Sequence, residues 1–316
     1  MEPALTARIL VGSCSWTDPS LISCGRFYPS GASTAETRLR HYAQQFPIVE
    51  VDSTYYAPPT ERNSVLWAAR TPPGFVFDVK AHGLLTGHPA HIDLLPSWLQ
   101  ESLPTSTAGK KSVYRNDVDP QAMDRLWELH RTALAPLATA GKLGAVLFQF
   151  PPWFVRSRHN TEYVRDIVRR LPGWPVAVEF RGGGWMTEEA AAHTLGLLED
   201  AGLAYVSVDE PQGFPSSTPP LAAATAPLAV VRMHGRNRET WSAKTTVASE
   251  RFKYLYDDAE LQEWAPRIRE LALRTQAVHV LFNNNYEDWG MRNARRMAQL
   301  LGLTHQGRTE LTLDLG

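Results

Sequence analysis

The chain has 316 residues, 43% hydrophobic and 21% charged, a balance that excludes disorder as its dominant state. Lysine and arginine number 32 against 33 aspartates and glutamates, which argues against chain-wide binding of a polyanion and leaves room for a local basic cleft. Two cysteines, Cys14 and Cys24, are too few for a disulfide framework or a thiolate metal cluster. No apolar stretch approaches the roughly 20 residues of a membrane span. The apolar run before Cys14 is too short for a signal core, so a cytoplasmic protein with free thiols is expected.

Eight short segments rich in β-branched and apolar residues follow one another: Ile9–Trp16, Ile48–Tyr55, Phe75–Ala81, Leu143–Phe150, Pro175–Phe180, Ala204–Glu210, Leu228–Gly235 and Ala277–Asn284. Helical patterns separate most of them. Ser33 with Glu36 reads as a capping box, Thr60 opens a second helix, and Asp119-Pro120 is an N-cap followed by proline in the first turn. Asn160, Thr187 and Asp257 with Glu260 open three more, and a last helix runs through Asn293–Leu301. This alternation predicts a single (β/α)8 TIM barrel, an α/β domain over residues 1–316. Irregular insertions are expected after strands three (residues 89–118), six (Pro211–Pro227) and seven (Arg236–Tyr256). All three follow C-terminal strand ends, the face on which such barrels carry their sites.

Side chains alternate along a strand. Strand two turns Val49 and Val51 outward and Glu50 and Asp52 inward. Strand five turns Val176, Val178 and Phe180 outward and Glu179 and Arg181 inward, and strand seven leaves Arg232 and His234 inside. Strand three adds Asp78, Lys80 and His82, strand four Gln149, strand six Ser207 and Asp209, and strand eight His279, Asn283 and Asn285. Strand one adds Ser13 and Ser15 if Val11 faces inward. Val206 and Val208 are then expected against the helices. Charges inside a barrel are costly unless paired, so their convergence at one end points to a site. Lys80, Arg181 and Arg232 suit a phosphate or carboxylate. Glu50, Glu179, Asp209 and His234 are the acid/base candidates. Ligand contacts are expected from Ser13, Trp16, Asp52, Tyr55, Lys80, His88, Gln149, Arg181, Arg232, Asn283 and Asn284.

Other signals are weaker. Trp153, after Phe150-Pro151-Pro152, reads as a packing residue with stacking as the alternative, and Tyr56 and Trp241 also fall near strand ends. Arg181-Gly182-Gly183-Gly184-Trp185 lacks the spacing of a dinucleotide fingerprint, and no P-loop, HExxH or GxSxG occurs, so no nucleotide cofactor is expected. A metal on Glu179, Asp209, His82 and His234 is the less favoured reading, because no sequence spacing demands it.

Val11-Gly12-Ser13-Cys14-Ser15-Trp16, Phe27-Tyr28-Pro29, the run from Val49 to Tyr56, Phe77 to Ala81, Leu147 to Pro152, Val178 to Arg181, Arg232 to Arg236 and Phe282 to Asn284 occur in order across about residues 9–302. Together they resemble the YecE-like family, a group named for a domain of unknown function. The resemblance implies a TIM barrel and supplies no reaction. It also implies a distant relation to metal-dependent sugar isomerases and apurinic-site endonucleases, hence nuclease or DNA-binding expectations. The chain departs from the family pattern at Asp52 (usually Asn), Cys14 (usually Gly) and Gly182 (usually His). The favoured function is an enzyme acting on a small anionic or sugar-phosphate-like substrate by carboxylate acid/base chemistry. The alternatives are a metal-assisted phosphodiester or nucleic-acid enzyme and a non-catalytic ligand- or partner-binding protein. Nothing in the sequence sets the oligomeric state.

Overall fold

A computed structural model describes residues 7–242 and 248–303. Eight parallel strands, β1 (Arg8–Cys14), β2 (Ile48–Val51), β3 (Val76–Lys80), β4 (Leu143–Phe150), β5 (Val176–Phe180), β6 (Ala204–Asp209), β7 (Leu228–Met233) and β8 (Ala277–Phe282), each pair with the next, and β8 closes on β1. The fold is therefore the closed TIM-type barrel expected from the strand count. Helices α1 (Ala35–Gln45), α2 (Glu61–Ala69), α3 (Pro120–Thr139), α4 (Arg158–Arg170), α5 (Ala191–Asp200), α6 (Asp258–Arg274) and α7 (Trp289–Leu300) form the outer ring. Local chemistry sets their starts: Asp119 caps α3 with Pro120 behind it, and Asp257 and Glu260 close a capping box on α6. Two starts differ from expectation. Thr34 with Thr37, not Ser33 with Glu36, caps α1, and Ser157 starts α4 one turn before Asn160. Among the described residues no helix lies between β6 and β7, where residues 210–227 cross in irregular conformation.

The alternation of each strand splits the core in two. Outward residues such as Val49, Val51, Val79, Val178, Val231 and Val280 pack with Leu39, Leu126, Ile167 and Trp264 of the helices. Leu10, Cys14, Ile48, Val76, Ala177, Val206, Val230 and Leu281 fill the barrel. Two strands face opposite to expectation. In β6, Val206 and Val208 line the interior, while Ser207 and Asp209 point out. The missing helix explains it: the irregular crossover and α6 supply polar partners, Ala223 N donating to Ser207 Oγ and Trp264 Nε1 to Asp209. In β1, Leu10 and Cys14 face inward and Val11 outward, which turns Ser13 toward α1.

Gly12 shares the inward parity of Leu10 and Cys14, and a Cβ on it would sit 2.1 Å from the Ile48 carbonyl oxygen of β2. Backbone cannot swing aside as a side chain can. The Gly12→Ala variant is therefore expected to lose about 1–3 kcal/mol in urea unfolding; an unchanged midpoint would show that the β1–β2 contact relaxes freely.

The segment after β3 forms a short helix (Gly83–Thr86), an antiparallel ribbon (Ala90–His91 with Ser112–Val113) and a second short helix (Ser97–Glu101). Leu95, Leu99, Val113 and Val118 join the main core, so this excursion is anchored to the barrel.

Candidate ligand site at the barrel mouth

The inward charges of β2, β5 and β7 meet at the C-terminal end of the barrel and neutralise one another. Arg232 grips Glu50 with two parallel hydrogen bonds, Nε to Oε2 at 2.8 Å and Nη2 to Oε1 at 2.7 Å. Its Nη1 donates to Glu179 Oε2 at 2.5 Å. Glu179 also accepts from Gln149 Nε2 at 2.6 Å and forms an ion pair with Arg181, whose Nε lies 2.8 Å away, and Arg181 reaches on to Glu210. Burial alone would raise the Glu179 carboxyl, but Arg232 and Arg181 outweigh it and hold it well below the usual carboxylate range. His234 Nδ1 accepts from Asn283 Nδ2 at 2.9 Å, so the ring hydrogen sits on Nε2, 3.2 Å from Glu179. Burial pushes this imidazole down to about 3, which keeps it neutral.

Above this ionic layer lies a cavity of about 390 Å³. Tyr55, Tyr56, Trp153, Trp241 and Phe252 wall it, with Lys80, His88, Gln149, Arg181 and Arg251 among its polar residues. Lys80 Nζ donates to Gln149 Oε1 at 2.9 Å and lies 4.7 Å from the centre of the Tyr55 ring. Arg181 lies 5.0 Å from the Trp241 ring, and its Nη2 has no partner among the described residues. His88 is fixed by Thr86 at 2.9 Å and packs edge-on against Tyr55 and Trp153. Burial pushes its ring down to about 3, aided by Lys80 and Arg181. Trp153 is 56% exposed, a rim residue rather than core.

Asp52 lies just past the end of β2, where its φ of -96° and ψ of -22° end the strand alternation, and it is not among the residues that line the cavity. Burial pushes its carboxyl up to about 6, against the pull of Lys80. It makes no salt bridge with any described residue.

Of the residues expected to contact a ligand, Tyr55, Lys80, His88, Gln149 and Arg181 line the cavity. Glu50, Glu179, Arg232 and His234 lie beneath it. Arg232 is 1% exposed and committed to two carboxylates, which corrects its expected place as an anion contact. Glu50 and Glu179 are likewise sealed under the floor, not presented as an acid/base pair. Four expected residues point away from the mouth. Ser13 Oγ meets Tyr42 Oη at 3.0 Å on α1. Trp16 follows Ser15, whose positive φ of 64° breaks the alternation, and packs against Trp67 and Phe77. Asp209 accepts from Trp264 Nε1 at 2.6 Å, Tyr256 Oη at 2.8 Å and Arg236 Nη2 at 2.7 Å, which ties β6 to α6. Asn284 Nδ2 donates to Asn293 Oδ1 and the Tyr254 carbonyl, both at 2.8 Å.

Several contributors escaped the sequence reading. Glu210 and Cys14 follow from the true parities of β6 and β1. Arg251 ends a short helix (Ala248–Arg251) in the segment after β7 and Phe252 follows it, where no strand periodicity exists to point inward. Among the described residues, no group of three or more His, Cys, Asp or Glu side chains is arranged to hold a metal ion, and no helix is long and apolar enough to cross a membrane.

The family model described as "Protein of unknown function DUF72" matches residues 10–313. The chain belongs to the DUF72 family. The resemblance drawn from the strand-end motifs is borne out, and the family name carries a fold but no reaction. The UPF0759 protein YunF of Bacillus subtilis (strain 168) is 30% identical over 311 residues, covering 97% of this chain and 99% of YunF. Among solved structures, a DUF72 protein from Thermotoga maritima MSB8 is 30% identical with a TM-score of 0.72, covering 93% of this chain and 99% of its own. Another from Enterococcus faecalis V583 is 24% identical with a TM-score of 0.74, covering 94% and 96%, and shares the DUF72 fold.

Proposed function

We propose that the mouth cavity binds a small anionic, ring-bearing molecule of the sugar-phosphate kind and that Asp52, behind the lining but near enough to Lys80 to feel its charge, performs acid/base chemistry on it. The observation that carries this reading is the segregation of charge. Glu50, Glu179 and Glu210 are buried behind the floor, while Lys80 and Arg181 face the cavity between aromatic walls. A guanidinium nitrogen without a partner and an ammonium group suit phosphate or carboxylate oxygens. Tyr55, Trp153 and Trp241 offer flat apolar faces to a ring. A carboxyl titrating near 6 can hold or release a proton at neutral pH, as a general acid or base must. Glu179, held ionised far below that range, is a poor candidate for the role.

Calorimetry with ribose 5-phosphate and ribose tests the binding half. The phosphate ester should bind more tightly, and Lys80→Ala should weaken it by roughly 10–100-fold, the worth of a hydrogen bond to a charged group, with ribose unaffected. Equal binding of the two sugars, or an unchanged phosphate affinity in Lys80→Ala, would contradict it. Turnover in a sugar-phosphate screen tests the other half. Asp52→Asn keeps the shape and should lower turnover by roughly 10²–10⁴ while abolishing a pH limb near 6. Full turnover in that variant would remove Asp52 from the chemistry.

A further inference from the structure

A second cavity, of about 360 Å³, opens at the opposite, N-terminal end of the barrel. Its walls are apolar, from Leu10, Val76, Trp174, Val176, Ala204 and Leu228. Arg8 and Gln276 are at its rim, and the buried polar group that lines it is His279, 4% exposed and backed by Asp78, 2% exposed, a pair the mouth does not use. Both Asp78 oxygens lie 3.0 Å from His279 Nδ1. An ionised carboxylate only accepts, so Nδ1 carries the hydrogen and Nε2 is the free nitrogen. That nitrogen has no partner among the described residues and is not sealed off, and His279 lines the cavity. Gly144 makes room for the pair: a Cβ there would lie 2.4 Å from Asp78 Oδ1 and 2.9 Å from His279 Cε1.

We infer that this cavity is a second ligand site, separate from the mouth, for a small phenol or alcohol whose hydroxyl donates to His279 Nε2. A largely apolar pocket with one buried polar atom at its depth selects a mostly apolar molecule with one matching group. The carboxylate behind the imidazole fixes its tautomer, which favours a donor at Nε2, and its negative charge repels an anion at that point. Arg8 at the rim, its Nη2 on the Gly74 carbonyl, opposes a cationic ligand. A neutral hydroxyl satisfies both constraints.

The probe is phenol, with toluene as a partner of the same shape that lacks the donor. By NMR titration of the full chain, phenol should bind saturably and roughly tenfold more tightly than toluene, about the worth of one net hydrogen bond. Filling the rim with Ala226→Leu, at a partly exposed loop position, should remove phenol binding, while Lys80→Ala should leave it unchanged. Equal affinities for phenol and toluene would reduce Asp78 and His279 to a structural pair. No saturable binding, or binding that survives Ala226→Leu, would overturn the site. Loss in Lys80→Ala would move phenol to the mouth and also overturn it. None of these outcomes depends on whether sugar phosphates bind at the mouth.

Discussion

Replacing Arg232 with methionine is expected to destabilise the protein by about 3–5 kcal/mol, the cost of leaving buried charge without its partner. Arg232 is the shared counter-ion of Glu50 and Glu179, and both carboxylates are fully buried. The same reasoning predicts recovery. Adding Glu50→Gln and Glu179→Gln to Arg232→Met removes the stranded charges, and the triple variant should be more stable than the single one. Arg232→Lys should recover little, since one ammonium cannot reproduce the two-pronged grip on Glu50 while also reaching Glu179. Urea unfolding of the four proteins decides it. A loss below about 1 kcal/mol for Arg232→Met would mean that the ionic layer behaves like a surface pair.

Acid should unfold the protein well before its carboxylates would require it. Burial pushes His82 down to about 4, and His130 and His234 down to about 3. In the unfolded chain each returns to about 6.5. As pH falls below that value the unfolded state takes up protons that the native state refuses, so stability is full above about 6.5 and declines toward 3–4. Each such histidine costs up to about 1.4 kcal/mol per pH unit in that window. Three of them can remove several kcal/mol by pH 4.5. Asp52 and Glu210 work in the opposite direction, since burial raises both carboxyls, Asp52 to about 6, and so favours the protonated native state as the pH falls, but they are two groups against three. The urea midpoint should fall steeply from pH 6.5 to pH 4.5. His130, whose two ring nitrogens have no partner, supplies the control: His130→Leu should flatten that slope. A midpoint constant down to pH 4.5 would refute the assignment.

Much of this architecture was legible because acids and bases interrupt otherwise apolar strands. Val49-Glu50-Val51-Asp52, Val178-Glu179-Phe180-Arg181 and Val231-Arg232-Met233-His234 have one clear apolar parity each, and the barrel follows it. Strand β6 was ambiguous, because Ala204-Tyr205-Val206-Ser207-Val208-Asp209 has apolar residues on both parities. Only the cover above it, α6 with Trp264 and a crossover without a helix, decides that Asp209 turns outward. The division of labour among the charges was equally hidden. Whether Arg232 meets a ligand or its own carboxylates depends on how strands distant in sequence face each other across the barrel. The aromatic wall from Trp241 and Phe252 belongs to an irregular segment, where alternation gives no direction.

The central claim, that the mouth presents cations to an anionic ligand, is tested most directly by a crystal soaked in tungstate, whose anomalous signal locates an oxyanion without ambiguity. A tungstate is expected between Lys80 Nζ and Arg181 Nη2, within hydrogen-bond distance of both, and lost in Lys80→Ala. Tungstate bound at other sites with this one vacant would contradict it.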